Sequence, residues 1–121
     1  MNETLSKAYK LKGKKIIGSL FEERNSIKAF PLVLAYKPTE EINTEFRVGF
    51  SVSKRNFKLA VDRNRIKRLM RDYFRKNKYL FTKDDLSFLY MFIYVGKTIP
   101  SYEDIGKAME KLSLKLKQKN S

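Results

Sequence analysis

Apolar residues recur at three- and four-residue intervals at Ile66, Leu69, Met70, Tyr73 and Phe74. That spacing draws one stripe along an α-helix and predicts a helix over about residues 61–77. Asn64, Arg68, Arg71 and Arg75 fall on the opposite stripe, flanked by Arg63, Arg65 and Lys67. Elsewhere the period changes. Phe46, Val48, Phe50 and Val52 alternate with Arg47, Gly49 and Ser51, the pattern of a half-buried strand. Phe30, Leu32, Leu34 and Tyr36 alternate likewise and predict a strand over 30–36. The two strands are expected to pair as a hairpin, with Lys37–Asn43 as the loop between them. Leu86–Val95 shows no wet face, which marks a central strand covered on both sides.

Two more helices follow from spacing. Ile16, Ile17, Leu20 and Phe21 predict a first helix over about 13–24, although Gly18 disfavours its interior by roughly 1 kcal/mol. Ser101 with Asp104 three residues on reads as a capping box, opening a last helix marked by Tyr102, Ile105, Met109, Leu112 and Leu116. Residues 1–10 and 117–121 are expected to be flexible, with fraying from Lys115. The order is helix, strand, strand, helix, strand, helix: an α+β fold with helices packed on a mostly antiparallel sheet.

Charge adds a partner to this outline. The 121 residues, room for one domain, hold 27 Lys and Arg against 13 Asp and Glu, a net of +14. Residues 53–83 hold 12 Lys and Arg against only Asp62 and Asp72, so +10 of that charge sits in one segment. Most charge runs are solvated faces. A run this one-sided repels itself, and a polyanion would relieve it. Arginine's planar fork of donors suits phosphate oxygens, so nucleic acid is the favoured partner. A helix-turn-helix would need a short helix just before residue 62, where an alternating strand stands instead.

Composition also excludes chemistry. There is no cysteine and no histidine, which removes disulfides, thiolate zinc sites and the usual general acid–base. Glu22-Glu23, Glu40-Glu41, Asp84-Asp85 and Glu103-Asp104 are neighbours in sequence, and neighbours on a strand point to opposite faces. They do not build the converging carboxylates of a two-metal nuclease. Asp84 and Asp85 are the pair that could stand near a magnesium ion beside bound RNA. Phe88–Val95, the longest apolar stretch, is far short of the ~20 residues that span a bilayer. With no signal peptide in view, a soluble cytoplasmic protein is expected, with no membrane contact.

At this point a resemblance becomes specific. Arg63-Asn64-Arg65-Ile66-Lys67-Arg68-Leu69-Met70-Arg71 resembles the RNR motif of the bacterial ribonuclease P protein subunit. Arg47-Val48-Gly49-Phe50-Ser51-Val52-Ser53-Lys54 resembles the strand that precedes it in that family. The likeness runs from about Lys10 to Leu116. It implies a two-layer α/β sandwich of the ribosomal-protein type, order αβββαβα, with a left-handed strand–helix–strand crossover where about 98% of such connections are right-handed. The additional strand must come from residues 24–52.

The resemblance also implies a task. A large catalytic RNA, with magnesium ions held mainly by the RNA, cuts the 5′ leader from precursor tRNA, and the protein adds no catalytic residue. The protein would act as a monomer, one per ribonuclease P RNA. By position, Arg63, Asn64, Arg65, Lys67, Arg68 and Arg71 would face RNA, supported by Lys54, Arg55 and Lys58. A cleft between the first helix and the sheet would take the single-stranded leader, with Ile17, Phe21, Tyr36 and Phe50 as candidate lining. Aromatics there could stack bases at about 1–3 kcal/mol each, which Ile17 does poorly; the same aromatics could instead be core. The alternative reading is a ribosomal or RNA-chaperone protein that binds structured RNA without a catalytic partner.

Overall fold

Pro31 interrupts what alternation alone reads as one strand, because it has no N–H to give to a ladder. The computed structural model describes residues 25–39, 46–82 and 87–119. In it the chain turns at Phe30-Pro31, across a cis peptide bond, between β1 (Asn25–Ala29) and β2 (Leu32–Thr39). β1 is the additional strand that the family order requires. Phe30, expected on the buried face, is 80% exposed at the turn, whereas Leu32, Leu34 and Tyr36 are buried as predicted. Lys37, Pro38 and Thr39, expected as loop, continue β2. Pairing with β1 ends at Tyr36, so Pro38 sits where β4 is the only neighbouring strand among the described residues. The helix predicted over 13–24 and the pair Asp84-Asp85 lie outside the described residues.

The four strands take the order β1-β2-β4-β3. β1 pairs antiparallel with β2, and β2 with β4 (Ser87–Tyr94), while β3 (Phe46–Val52) runs parallel to β4. The predicted hairpin of β2 with β3 is therefore not formed: β4 stands between them. Phe88, Tyr90, Phe92 and Tyr94 are buried on one face of β4, and Leu89 is buried on the other, with Met91 and Ile93 half-buried. A strand this apolar gains most at the centre of a sheet. That gain outweighs the tendency of consecutive strands to pair.

α1 (Ala60–Lys76) carries the chain from β3 to β4, close to the predicted bounds, and a short 3-10 turn, Lys78–Leu80, follows it. α2 (Tyr102–Lys119) begins at the predicted capping box: the Asp104 N–H donates to Ser101 Oγ at 3.1 Å, and the Ser101 N–H to Asp104 Oδ2 at 3.2 Å. It runs on past Lys115, where fraying was expected, because Leu116 is buried and the Lys115 ammonium donates to the Lys28 carbonyl.

Both helices bury their stripes in one core. Ile66, Met70 and Phe74 of α1 join Ile105, Met109, Leu112 and Leu116 of α2 over the sheet face that carries Leu34, Tyr36, Val48, Tyr90 and Phe92. Phe74 is the hub, with ring centroids 5.1 Å from Phe46, 5.4 Å from Phe81, 5.5 Å from Phe92 and 6.0 Å from Phe50. Gly106 lets the helices close: a Cβ there would lie 2.6 Å from Tyr73 Cε2. Beside it the Tyr73 hydroxyl donates to Glu110 Oε1 at 3.1 Å.

Four tyrosines report on this packing. Burial pushes the phenols of Tyr36, Tyr90 and Tyr94 up from 10.0. Tyr73 is pushed up to about 12, first by burial and then by its hydrogen bond to Glu110. The Tyr90 hydroxyl donates to the Phe81 carbonyl at 2.6 Å, inside the core. A folded pKa above the unfolded one keeps these phenols neutral at a pH where the unfolded chain ionises them. Their contribution to stability should be complete below pH 10 and fall as pH climbs towards 12 and above. Phenolate absorbance should then show a group of tyrosines ionising only as the fold is lost. All 7 tyrosines titrating together near 10 in a folded chain would contradict the packing.

Candidate nucleic-acid interface

The basic loop between β3 and α1 is held from beneath. The Phe57 N–H donates to the Ser53 carbonyl at 3.1 Å and the Arg55 N–H to Ser53 Oγ at 3.2 Å, which shapes the turn. Phe57 is buried, its ring 5.9 Å from that of Tyr94. Asn56 Nδ2 donates to the Gly96 carbonyl at 3.3 Å. With the apolar and amide side chains turned inward, Lys54, Arg55 and Lys58 are left exposed, as the sequence reading expects.

α1 starts without a side-chain cap. Leu59 occupies the N-cap position and offers no acceptor, so the first-turn N–H groups keep an uncapped, electropositive end, tempered by Asp62. Arg63 serves this junction. Its Nη1 donates to the Phe57 carbonyl at 2.7 Å and to the Lys58 carbonyl at 2.9 Å. One nitrogen of the predicted RNA-facing set thus fastens the loop to the helix. Arg63→Ala should lower stability by about 1–3 kcal/mol in urea unfolding and speed amide exchange around Phe57. Lysine should rescue only in part, since an ammonium lacks the planar fork. Wild-type exchange in the alanine variant would show that the loop holds its shape without Arg63.

Down the helix, Asn64, Arg65, Arg68 and Arg71 are exposed and Lys67 is half-buried. Residues 64 to 75 extend about 16 Å at 1.5 Å per residue, a basic ridge several phosphates long. Arg75 lies 3.7 Å from Asp72, and the Lys76 ammonium sits 5.9 Å from the Tyr102 ring. Among the described residues, Arg65, Arg68 and Arg71 have neither hydrogen-bond nor ion-pair partners, so their guanidinium groups are available to an external anion.

The expected leader cleft fares differently. Ile17 and Phe21 lie outside the described residues. Tyr36 and Phe50 belong to the helix-covered face: Tyr36 is 3% exposed, and Phe50 packs against the core with its ring stacked 5.8 Å from Phe92. Side chains two apart on a strand share a face, so Leu34 and Val48 carry Tyr36 and Phe50 with them into the core. The opposite face holds Ala35, Arg47, Gly49 and Met91, where the Arg47 Nε is buried without a hydrogen-bond partner among the described residues. The sequence reading missed the anchors Asn56 and Phe57; a lone aromatic inside a basic loop was the available signal. Among the described residues no group of three or more acidic side chains is placed to hold a metal ion. No helix among them is long and apolar enough to cross a membrane.

Known proteins resemble the chain in sequence and in fold. Residues 5–117 match the family described as Ribonuclease P. The chain is 30% identical to the Ribonuclease P protein component of Porphyromonas gingivalis, across 93% of this chain and 85% of that one. With the Chlorobaculum tepidum component it is 36% identical across 76% and 69%. Its fold is similar to that of the Staphylococcus aureus RNase P protein, with a TM-score of 0.72 and 27% identity, covering 91% of this chain and 95% of that one. The Thermotoga maritima RNase P protein shares the fold at 21% identity, with a TM-score of 0.71 and coverage of 85% and 93%.

Proposed function

The chain belongs to the ribonuclease P protein family, a subunit of a tRNA-processing ribonucleoprotein, and on that premise we propose how it divides the work with its RNA. The RNA carries the catalytic centre and removes the 5′ leader from precursor tRNA. This chain binds, orients and neutralises. The carrying observation is the division of α1 into a buried apolar stripe and an exposed face on which Arg65, Arg68 and Arg71 have no partners among the described residues, continued by Lys54, Arg55 and Lys58.

Each phosphate held by that face releases condensed counterions, so binding is strong at low salt and weakens steeply as salt rises. Neutralising RNA charge in this way substitutes for part of the magnesium a folded RNA needs. In this reading the ions themselves are held mainly by RNA. Ile17 and Phe21 are assigned to the single-stranded leader. One monomer serves each RNA, in the cytoplasm.

Reconstitution tests the division of labour. The protein alone should leave precursor tRNA uncut, and it should lower the magnesium concentration at which a bacterial ribonuclease P RNA cleaves the leader. Cleavage by RNA-free protein would overturn the proposal, as would a magnesium requirement that the protein does not change.

A further inference from the structure

A second basic surface lies along α2. A groove of about 350 Å³ opens between the Phe30-Pro31 turn, the β4–α2 connection and the flank of α2 that carries Lys107 and Lys111. That flank is distinct from the one through which Gly106 and Glu110 meet α1. Lys97, Lys107 and Lys111 line the groove against one carboxylate, Asp104. Asp104 is engaged in the capping box through the Ser101 N–H. Lys107 shares a 3.4 Å pair with Glu103, both side chains well exposed, and such pairs contribute little in water.

Phe30 stands at the edge of this groove with 80% of its surface exposed. A single exposed hydrophobic residue is ordinary. An aromatic ring beside three lysines in a concave surface is the combination that single-stranded nucleic acid uses, with the ring stacking a base and the cations following the backbone. The groove is also continuous with the interface already described. Its wall residues Tyr94 and Gly96 are those on which the basic loop rests, through the Phe57 ring and the Asn56 amide.

We propose that this groove binds a single-stranded segment of RNA, with Phe30 stacking a base and Lys97, Lys107 and Lys111 meeting the flanking phosphates. It is a second RNA contact, separate from the arginine face of α1, and it rests on the ribonuclease P reading only in taking RNA as the polyanion. The test is titration of the full chain with a short fluorescein-labelled oligoadenylate at several salt concentrations. Phe30→Ala should bind on the order of tenfold more weakly, and Phe30→Tyr close to wild type. The change removes no charge, so the loss cannot come from net charge, and an unchanged thermal midpoint will show the exposed turn still folded.

In the same titration, the triple variant K97A/K107A/K111A should lose about 2 from its salt slope, at about 0.7 per single-strand contact. Wild-type affinity in Phe30→Ala, or a wild-type slope in the triple variant, overturns the proposal. If the wild-type protein fails to stimulate a ribonuclease P RNA while Phe30→Ala still weakens oligoadenylate binding, the groove stands and the subunit reading falls. Stimulation by the wild type with Phe30→Ala indistinguishable from it in both assays removes the groove alone.

Discussion

Replacing Arg65 and Arg68 together with alanine should weaken binding to a large structured RNA by about two to four orders of magnitude, at about 1.5–3 kcal/mol per charge-assisted contact. The slope of log affinity against log salt should fall by about 1.8, or about 0.9 for each lost phosphate contact. Both guanidinium groups are exposed and have no partners among the described residues. Their removal should therefore change folding stability by less than about 0.5 kcal/mol. The measurement is equilibrium binding over a range of potassium chloride concentrations, with urea unfolding beside it. An unchanged slope would make the face a solvated surface and leave the RNA to other residues.

The opposite stripe of the same helix should respond in the opposite way. Phe74→Ala should cost about 3–5 kcal/mol, because the cavity it leaves lies among Phe46, Phe50, Phe81 and Phe92 and cannot collapse without moving two strands. A domain of this size has about 5–15 kcal/mol in total, so a large part of its stability goes. Phe74→Leu should cost less, since most of the volume stays. Extrapolated to the folded fraction, RNA affinity and salt slope should match wild type. A loss below about 1 kcal/mol would mean that Phe74 is not the hub that seats α1 on the sheet. The two variants together separate binding from folding on one helix.

How legible all this was depends on the range of the interactions concerned. The spacing of Ile66, Met70 and Phe74, the alternation of Phe46 to Val52, and the Ser101–Asp104 box are relations among residues a few positions apart. They can be read without knowing what they pack against, and they stood. The hairpin of β2 with β3 failed because it depended on a choice between partners. β4 outcompeted the nearer strand through apolar surface on both of its faces. β1, expected somewhere within residues 24–52, could not be placed from alternation for a local reason: Pro31 turns the chain in the middle of the alternating run, leaving Phe30 outside the core.

The interface shows the same split. The arginine face could be read from the helical period and a charge count, because solvent exposure on a helix follows directly from which stripe is buried. Tyr36 and Phe50 could not be assigned that way. Alternation says that they share a face with their neighbours, but only the sheet order and the seating of α1 and α2 make that face the core. Arg63 also looked like its neighbours until the fold brought the Phe57 and Lys58 carbonyls within reach of its guanidinium.

What the sequence determined by itself was a basic protein whose α1 must bury one side and leave a basic side exposed. Periodicity and charge are properties of the chain alone. What only the tertiary structure decided was which strands meet, which aromatics are used up in the core, and that Phe30 and three distant lysines share one groove. Those depend on contacts between residues far apart in sequence, where the competition for buried surface is settled by the whole fold.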